Sequence, residues 1–259
     1  RYSLQTGYHG LGMAFENKSF VIFGATGSTG TALVRELIDR GARVLACSKN
    51  EAKVNAMAAE LGAEGYTLDA TDAAQVAQAF IHAKKLFGDV QGAVNLVGSI
   101  LLKPAHLTTD EEWLQTLNLN LNTAFYVVRE AVKTIGDGGG IVLVSTAAAR
   151  VGLANHEAVA AAKGGVIGLT LAAAATYANR NIRVNCVAPG LVDTQMSARI
   201  VGNEAASKAS MSLHALGRFG KPEDVASMIT FLLDPAHDWV TGQVFGVDGG
   251  LGTLKPMMQ

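Results

Sequence analysis

The chain has 259 residues, 49% hydrophobic and 17% charged, with a net charge of −1 and 29 glycines. That length holds one large α/β domain with an ample core, and near-neutral charge without a basic run leaves no electrostatic footprint for nucleic acid. No apolar run reads as a membrane span, and Cys47 and Cys186 are far apart, lack metal-ligand spacing and sit in apolar runs. They read as core residues of a reducing compartment.

Residues 1–12 lack a charged segment followed by an apolar one and read as a tag or disordered leader ahead of a start at Met13. A single domain is expected over 13–259, in a cytoplasmic protein with no metal site. Short apolar runs at 19–23, 43–47, 65–68, 90–96, 141–144, 182–187 and 243–247 predict strands. Helical patterns separate them: one running to Arg40, then 51–61, 73–86, 110–135, 156–178 and 222–233. Continuously apolar strands, each followed by a helix, predict an α/β fold with a parallel sheet covered on both faces. Right-handed crossovers make that a single doubly wound parallel sheet of Rossmann type.

The first strand-to-helix turn reads Phe23-Gly24-Ala25-Thr26-Gly27-Ser28-Thr29-Gly30. Glycines there let backbone N–H groups and a helix N-terminus approach a pyrophosphate, although glycine in such a turn can be structural only. The second strand ends in Cys47-Ser48-Lys49-Asn50, where a carboxylate would bind the ribose hydroxyls of NAD. A hydroxyl followed by a cation suits a 2′-phosphate instead, which favours NADP(H) over NAD(H). The other reading of Lys49 is a solvated loop lysine.

With these motifs in order, the chain resembles the short-chain dehydrogenase/reductase family along nearly its whole length. Further landmarks are Asp69 after the third strand, Asn95-Leu96-Val97-Gly98 after the fourth, Trp113 through Asn120, Ser145-Thr146 after the fifth and Lys163 on the long helix. Asn185-Cys186-Val187-Ala188-Pro189-Gly190 with Thr194, the Pro222-Glu223-Asp224 helix start, and Thr241-Gly242-Gln243 leading to Val247-Asp248-Gly249-Gly250 complete the series. The resemblance implies that Asp69 and Ala70 contact adenine and that Asn95 lies near the adenosine ribose. It implies that Lys163 hydrogen-bonds the nicotinamide ribose, that Pro189, Gly190, Val192 and Thr194 hold the nicotinamide end, and that Asn120 kinks its helix and orders a water beside the lysine.

Three departures from the family pattern stand out. Glycine falls at 27 rather than 28, and Leu96-Val97 replaces Asn-Ala. The third bears on the chemistry: where the family carries its acid/base tyrosine, four residues before Lys163, this chain has Val159. One helical turn puts both positions on one face, and in the family the lysine cation lowers the tyrosine pKa so that it exchanges a proton with the substrate oxygen. The family's serine, thirteen residues before the tyrosine, corresponds to Thr146, which keeps the hydroxyl. Valine keeps nothing that can move a proton.

His156, seven residues before Lys163, is the alternative proton-transfer group, two turns along the same face; the competing reading makes it a partly exposed first-turn residue behind a capping Asn155. Three readings stay open: an NADP(H)-dependent oxidoreductase of a carbonyl, alcohol or enoyl small molecule whose acid/base is His156 or water on Lys163–Asn120; a catalytically silent dinucleotide-binding regulatory or structural protein; and a carbonyl reductase whose tyrosine was deliberately replaced. Residues 195–218, with Met196, Met211 and His214, correspond to the family's variable substrate cover. The alanine- and glycine-rich helix at 158–178 permits close helix–helix contact, and the resemblance implies that it pairs with its neighbour across a two-fold axis, so a homotetramer or dimer is expected.

Overall fold

The computed structural model describes residues 15–255; the leader expected over 1–12 lies outside them. In chain order the elements are β1 (Ser19–Phe23), α1 (Ser28–Asp39), β2 (Arg43–Ser48), α2 (Glu51–Leu61), β3 (Glu64–Thr67), α3 (Ala73–Phe87) and β4 (Gly92–Asn95). The second half holds α4 (Asp110–Leu117), α5 (Thr123–Thr134), β5 (Gly139–Val144), α6 (Glu157–Tyr177) and β6 (Ile182–Pro189). It ends with α7 (Ala198–Val201), α8 (Glu204–Ser212), α9 (Pro222–Leu233) and β7 (Val244–Val247).

The strands form one sheet in the order β3-β2-β1-β4-β5-β6-β7, every neighbouring pair parallel. Alternate side chains of each strand go to opposite faces. Val21 and Phe23 of β1 join the core under α3, α5 and α6, whereas Phe20 and Ile22 join the core under α1, α2 and α9. Burial on both faces is what the continuously apolar strands demand. Between β1 and β4 the order of connection reverses, which opens a crevice at the carboxyl ends of the strands, the usual ligand site of such sheets.

Helix ends follow their local chemistry. Asn50 accepts the Lys53 amide ahead of α2, Asp72 accepts those of Ala74 and Gln75 ahead of α3, and Thr109 and Glu112 form a reciprocal capping box on α4. Ahead of α1 the N-cap is Gly27, which has no side chain to spend on the first turn. Gly24 adopts φ +77°, and a Cβ there would come 3.0 Å from the Leu96–Val97 backbone, so β1 can turn against β4 only through glycine.

Two expectations are corrected. The single helix expected over 110–135 is α4 and α5 joined by a π-helical turn, Asn118–Asn122, in which the Thr123 amide reaches the Asn118 carbonyl. One extra residue in a turn leaves the apolar spacing almost unchanged, so periodicity does not register it. The second concerns membranes: the Glu157–Arg180 helix is long and apolar enough to cross one, with a mean hydropathy of 1.6, and 44% of that window is buried. Here α6 covers the sheet, packing its Val166, Ala173 and Ala174 into the core. Its outer half is apolar because alanine, glycine and leucine fill it, not because it is enclosed.

Candidate active site

The site is built outward from the junction of β5 and α6. Ser145, at the carboxyl end of β5, donates its hydroxyl to the Lys163 carbonyl at 2.8 Å, and Lys163 Nζ donates to the Val144 carbonyl at 2.8 Å. Both side chains are buried, Lys163 at 8% exposure. Among the described residues no carboxylate pairs with the ammonium. Burial therefore dominates its protonation and brings its pKa from the usual 10.5 down to about 8, with the neighbouring Cys186 opposing weakly. Near pH 7 the group is still mostly charged, with the lone Val144 carbonyl as its hydrogen-bond acceptor.

Asn120 reaches the same spot from the π turn. Its Oδ1 accepts the Ser99 amide at 3.1 Å, and its Nδ2 donates to the Ser99 hydroxyl and to the Thr116 carbonyl, each at 3.0 Å. A Cβ on Gly98 would lie 2.8 Å from Asn120 Oδ1 and 3.2 Å from Lys163 Nζ, so the amide and the ammonium converge on that glycine. Wide turns of this kind are frequent where a helix must aim backbone or side chain at a site. Thr146 takes the Ala148 amide on its hydroxyl oxygen at 3.3 Å, which leaves the hydroxyl hydrogen free to donate. Val159, one turn ahead of Lys163 and 6% exposed, presents an apolar wall beside it.

His156 is not brought to this point. It is the N-cap of α6, with φ −109° and ψ 11°, so the two-turn spacing along one helical face does not apply to it. Its Nδ1 lies 2.8 Å from the Ala154 carbonyl, and the ring does not line the cavity. Asn155 sits just outside the helix at φ +64°, and no side chain caps α6. Glu157 puts a charge in the first turn of α6, its Oε1 accepting the Ala105 amide at 3.4 Å.

At the other end, Thr26 and Ser48 share a hydrogen bond of 2.6 Å across the tips of β1 and β2. Lys49 reaches over to Asp69 at 2.6 Å with 80% of its side chain exposed. That ammonium, then the Thr71 hydroxyl and amide, hold the Asp69 carboxyl down to about 2. Ala70 is buried beside it. Asn95 spends its side chain on structure, donating to the Thr123 hydroxyl at 3.0 Å and accepting the Val97 amide at 3.2 Å. Beyond β6, Thr194 forms a reciprocal cap with Ser197, and Ser197 Oγ also donates to the Val192 carbonyl at 2.6 Å.

A cavity of about 940 Å³ joins most of these groups. It is lined by Gly24, Thr26, Gly27, Ser28, Thr29 and Gly30 at the α1 end, then by Asn120, Thr146, Val159 and Lys163, and by Pro189, Gly190, Val192 and Thr194 at the β6 end. Ser48, Lys49, Asp69, Ala70, Asn95 and His156 lie outside its lining, the first four around the tips of β2 and β3. The uncapped start of α1 offers N–H groups to an anion, and the buried ammonium lies across the cavity from it. The α1 N-terminus could take a pyrophosphate and the Lys163 ammonium a ribose hydroxyl of a dinucleotide. Sequence reasoning missed Ser99, whose only signal was its place just past the fourth-strand glycine, and the docking role of Ser145, which Thr146 overshadowed.

Comparison with known proteins points the same way. The family model described as enoyl-(acyl carrier protein) reductase matches residues 24–252. The chain is 36% identical to the 3-oxoacyl-(acyl-carrier-protein) reductase FabG of Thermotoga maritima, over 92% of this chain and 99% of that one. It is 35% identical to a Xanthobacter autotrophicus protein named inactive 2-(S)-hydroxypropyl-CoM dehydrogenase 2, over 86% of this chain and 100% of that one. Among solved structures, a short-chain type dehydrogenase/reductase from Mycobacterium ulcerans superposes with a TM-score of 0.90 at 29% identity, covering 93% and 92% of the two chains. An actinorhodin polyketide ketoreductase variant solved with NADPH gives 0.87 at 28% identity, covering 92% and 98%.

Lys163 carries a stability prediction. Its folded pKa of about 8 lies below its ordinary value of 10.5, so the buried charge destabilises the fold below pH 8. That cost fades as pH rises from about 8 to 10.5 and is gone only above 10.5, where the amine is neutral in both states. Lys163→Met is expected to be more stable than the parent at pH 7, by up to about 3 kcal/mol. The gap should narrow from pH 8 to 10 in urea titrations; a gap independent of pH would show that the ammonium is not the cause.

Proposed function

We propose that this chain, which belongs to the short-chain dehydrogenase/reductase family, is an NADP(H)-binding oxidoreductase of a small carbonyl, alcohol or enoyl compound that handles the substrate proton without a tyrosine. The observation that carries this reading is the single cavity joining the uncapped α1 N-terminus to Lys163, Asn120 and Thr146. A nicotinamide dinucleotide held there supplies or accepts the hydride. The chain's own residues do the rest: the α1 turn takes the pyrophosphate, Lys163 holds the ribose hydroxyls, and Thr146 donates its hydroxyl to the substrate oxygen.

With Val159 apolar, the proton comes from water on Lys163 and Asn120 in preference to His156, which points to the Ala154 carbonyl. Losing a general acid costs about 10²–10⁴-fold, which leaves room for slow turnover if positioning is intact. The second reading, a dinucleotide-binding protein without turnover, is favoured by Val159 itself and by the relative that bears the word inactive.

NADP(H) is preferred to NAD(H) because β2 ends in Ser48-Lys49 with no carboxylate of its own. Lys49 is engaged by Asp69, but an exposed pair of that kind is worth only about 0–1 kcal/mol. A 2′-phosphate with its larger charge can displace it. The family is commonly oligomeric, and Phe125 of α5 and Leu171 of α6 are about half exposed on the two helices that would pair. A homodimer or homotetramer burying that face is the assembly we propose.

NADPH should bind saturably and more tightly than NADH, with Lys49→Ala weakening NADPH by about ten-fold and leaving NADH unchanged in fluorescence titrations. Equal affinity for both cofactors would remove the NADP(H) preference. Val159→Tyr should raise ketone reduction by about 10²–10⁴-fold, and no gain with bound NADPH would favour the silent reading. Light scattering should give a dimer or tetramer at micromolar concentration, and a monomer would refute the assembly.

A further inference from the structure

The segment that the family resemblance makes the substrate cover has little of its own to hold it down. No residue of α7 or α8 is buried. Elements with so little buried surface open locally at small cost. Two residues past α8 the chain turns inward and places His214 at 3% exposure. Nδ1 of that ring lies 2.8 Å from the Ser210 carbonyl, and Nε2 lies 3.0 Å from the Leu191 amide.

An amide only donates and a carbonyl only accepts, so the two partners fix the tautomer: Nδ1 carries the proton and Nε2 the lone pair. One partner belongs to α8. The other belongs to the 189–194 segment, which lines the large cavity from β6 onward. The ring stands behind that segment, where it borders a separate cavity of about 530 Å³ with Arg218, Asp224 and Asp248, and it does not line the large one. A Cβ on Gly190 would come 2.7 Å from Nε2, so the close approach depends on glycine there. Phe219 packs edge-on at 6.1 Å and completes the seat.

We propose that His214 is a positioning residue that couples the dinucleotide site to the substrate cover. Through Leu191 it holds Gly190 and Val192 where they border the cavity, and through Ser210 it anchors α8 above them. Side-chain bonds of this kind transmit position because the ring can shift only if both partners do. The anchor stands on geometry alone; the coupling rests on the dinucleotide reading given above.

Two variants separate the halves. His214→Phe keeps the ring and loses both bonds, whereas His214→Gln keeps an oxygen acceptor for the Leu191 amide and gives up the Ser210 bond. Circular dichroism should first show both variants folded like the parent. Without dinucleotide, amide hydrogen exchange across 195–213 should quicken in both, relative to the parent. His214→Phe should bind NADPH about 5- to 10-fold more weakly, the scale of one lost hydrogen bond at a part-buried amide, while His214→Gln stays within about three-fold of the parent. Unchanged exchange in His214→Phe would overturn the anchor. A parent that binds NADPH while His214→Phe binds equally well, or while His214→Gln fails as His214→Phe does, would overturn the coupling alone. A parent that binds no dinucleotide would overturn the coupling together with the functional reading.

Discussion

A reciprocal pair of hydrogen bonds between β5 and α6 determines where everything in the site falls. Ser145 donates to the Lys163 carbonyl, and Lys163 donates back to the Val144 carbonyl. A strand end and the side of a helix are thereby held in one register, on a face that buries α6 against β5 and β6. Helix geometry then places Val159 one turn away over the same cavity. The π turn carries Asn120 to Gly98 from the opposite side. None of these positions could shift by a residue without moving the ammonium out of the crevice that the sheet opens between β1 and β4.

The frame of the fold was legible because its signals are periodic and redundant. The strand at 19–23 and the helices at 51–61 and 222–233 fall where apolar spacing and turn residues put them. Continuous apolar strands forced a parallel sheet, and the order of connections followed. The glycines at 24, 27 and 30 were singled out by their place in the first strand-to-helix turn, and Lys163 and Thr146 by the family resemblance; the structure lines one cavity with all five.

What escaped the sequence depends on single backbone angles or on side chains that turn away. The π turn adds one residue without disturbing the apolar rhythm of 110–135. His156 shared a face with Lys163 only on the premise that the helix had already begun, and its ψ of 11° ends that premise. Asn95 and Ser145 are polar residues at strand ends, where a ligand or a neighbouring element is an equally good partner. The structure commits Asn95 to Thr123 and Ser145 to the α6 backbone. The apolar length of α6 was underestimated because a run of alanines looks bland beside leucine or isoleucine, although its summed hydropathy is that of a membrane span.

The docking pair is physically asymmetric. The Ser145 half uses the backbone carbonyl of residue 163 and would survive almost any side chain there. The Lys163 half puts a charge in a buried place with one carbonyl to receive it, and burial already pulls its pKa down to about 8. Buried ions without a counter-charge are among the costlier things a fold can hold. An apolar side chain of similar length would pack in the same place without that cost. The fold therefore has no need of the ammonium, whereas the ribose hydroxyl we propose for the cavity does. Val159 stands beside that cation as an apolar wall, and the cost the cation imposes on the fold supports the dinucleotide proposed for the cavity.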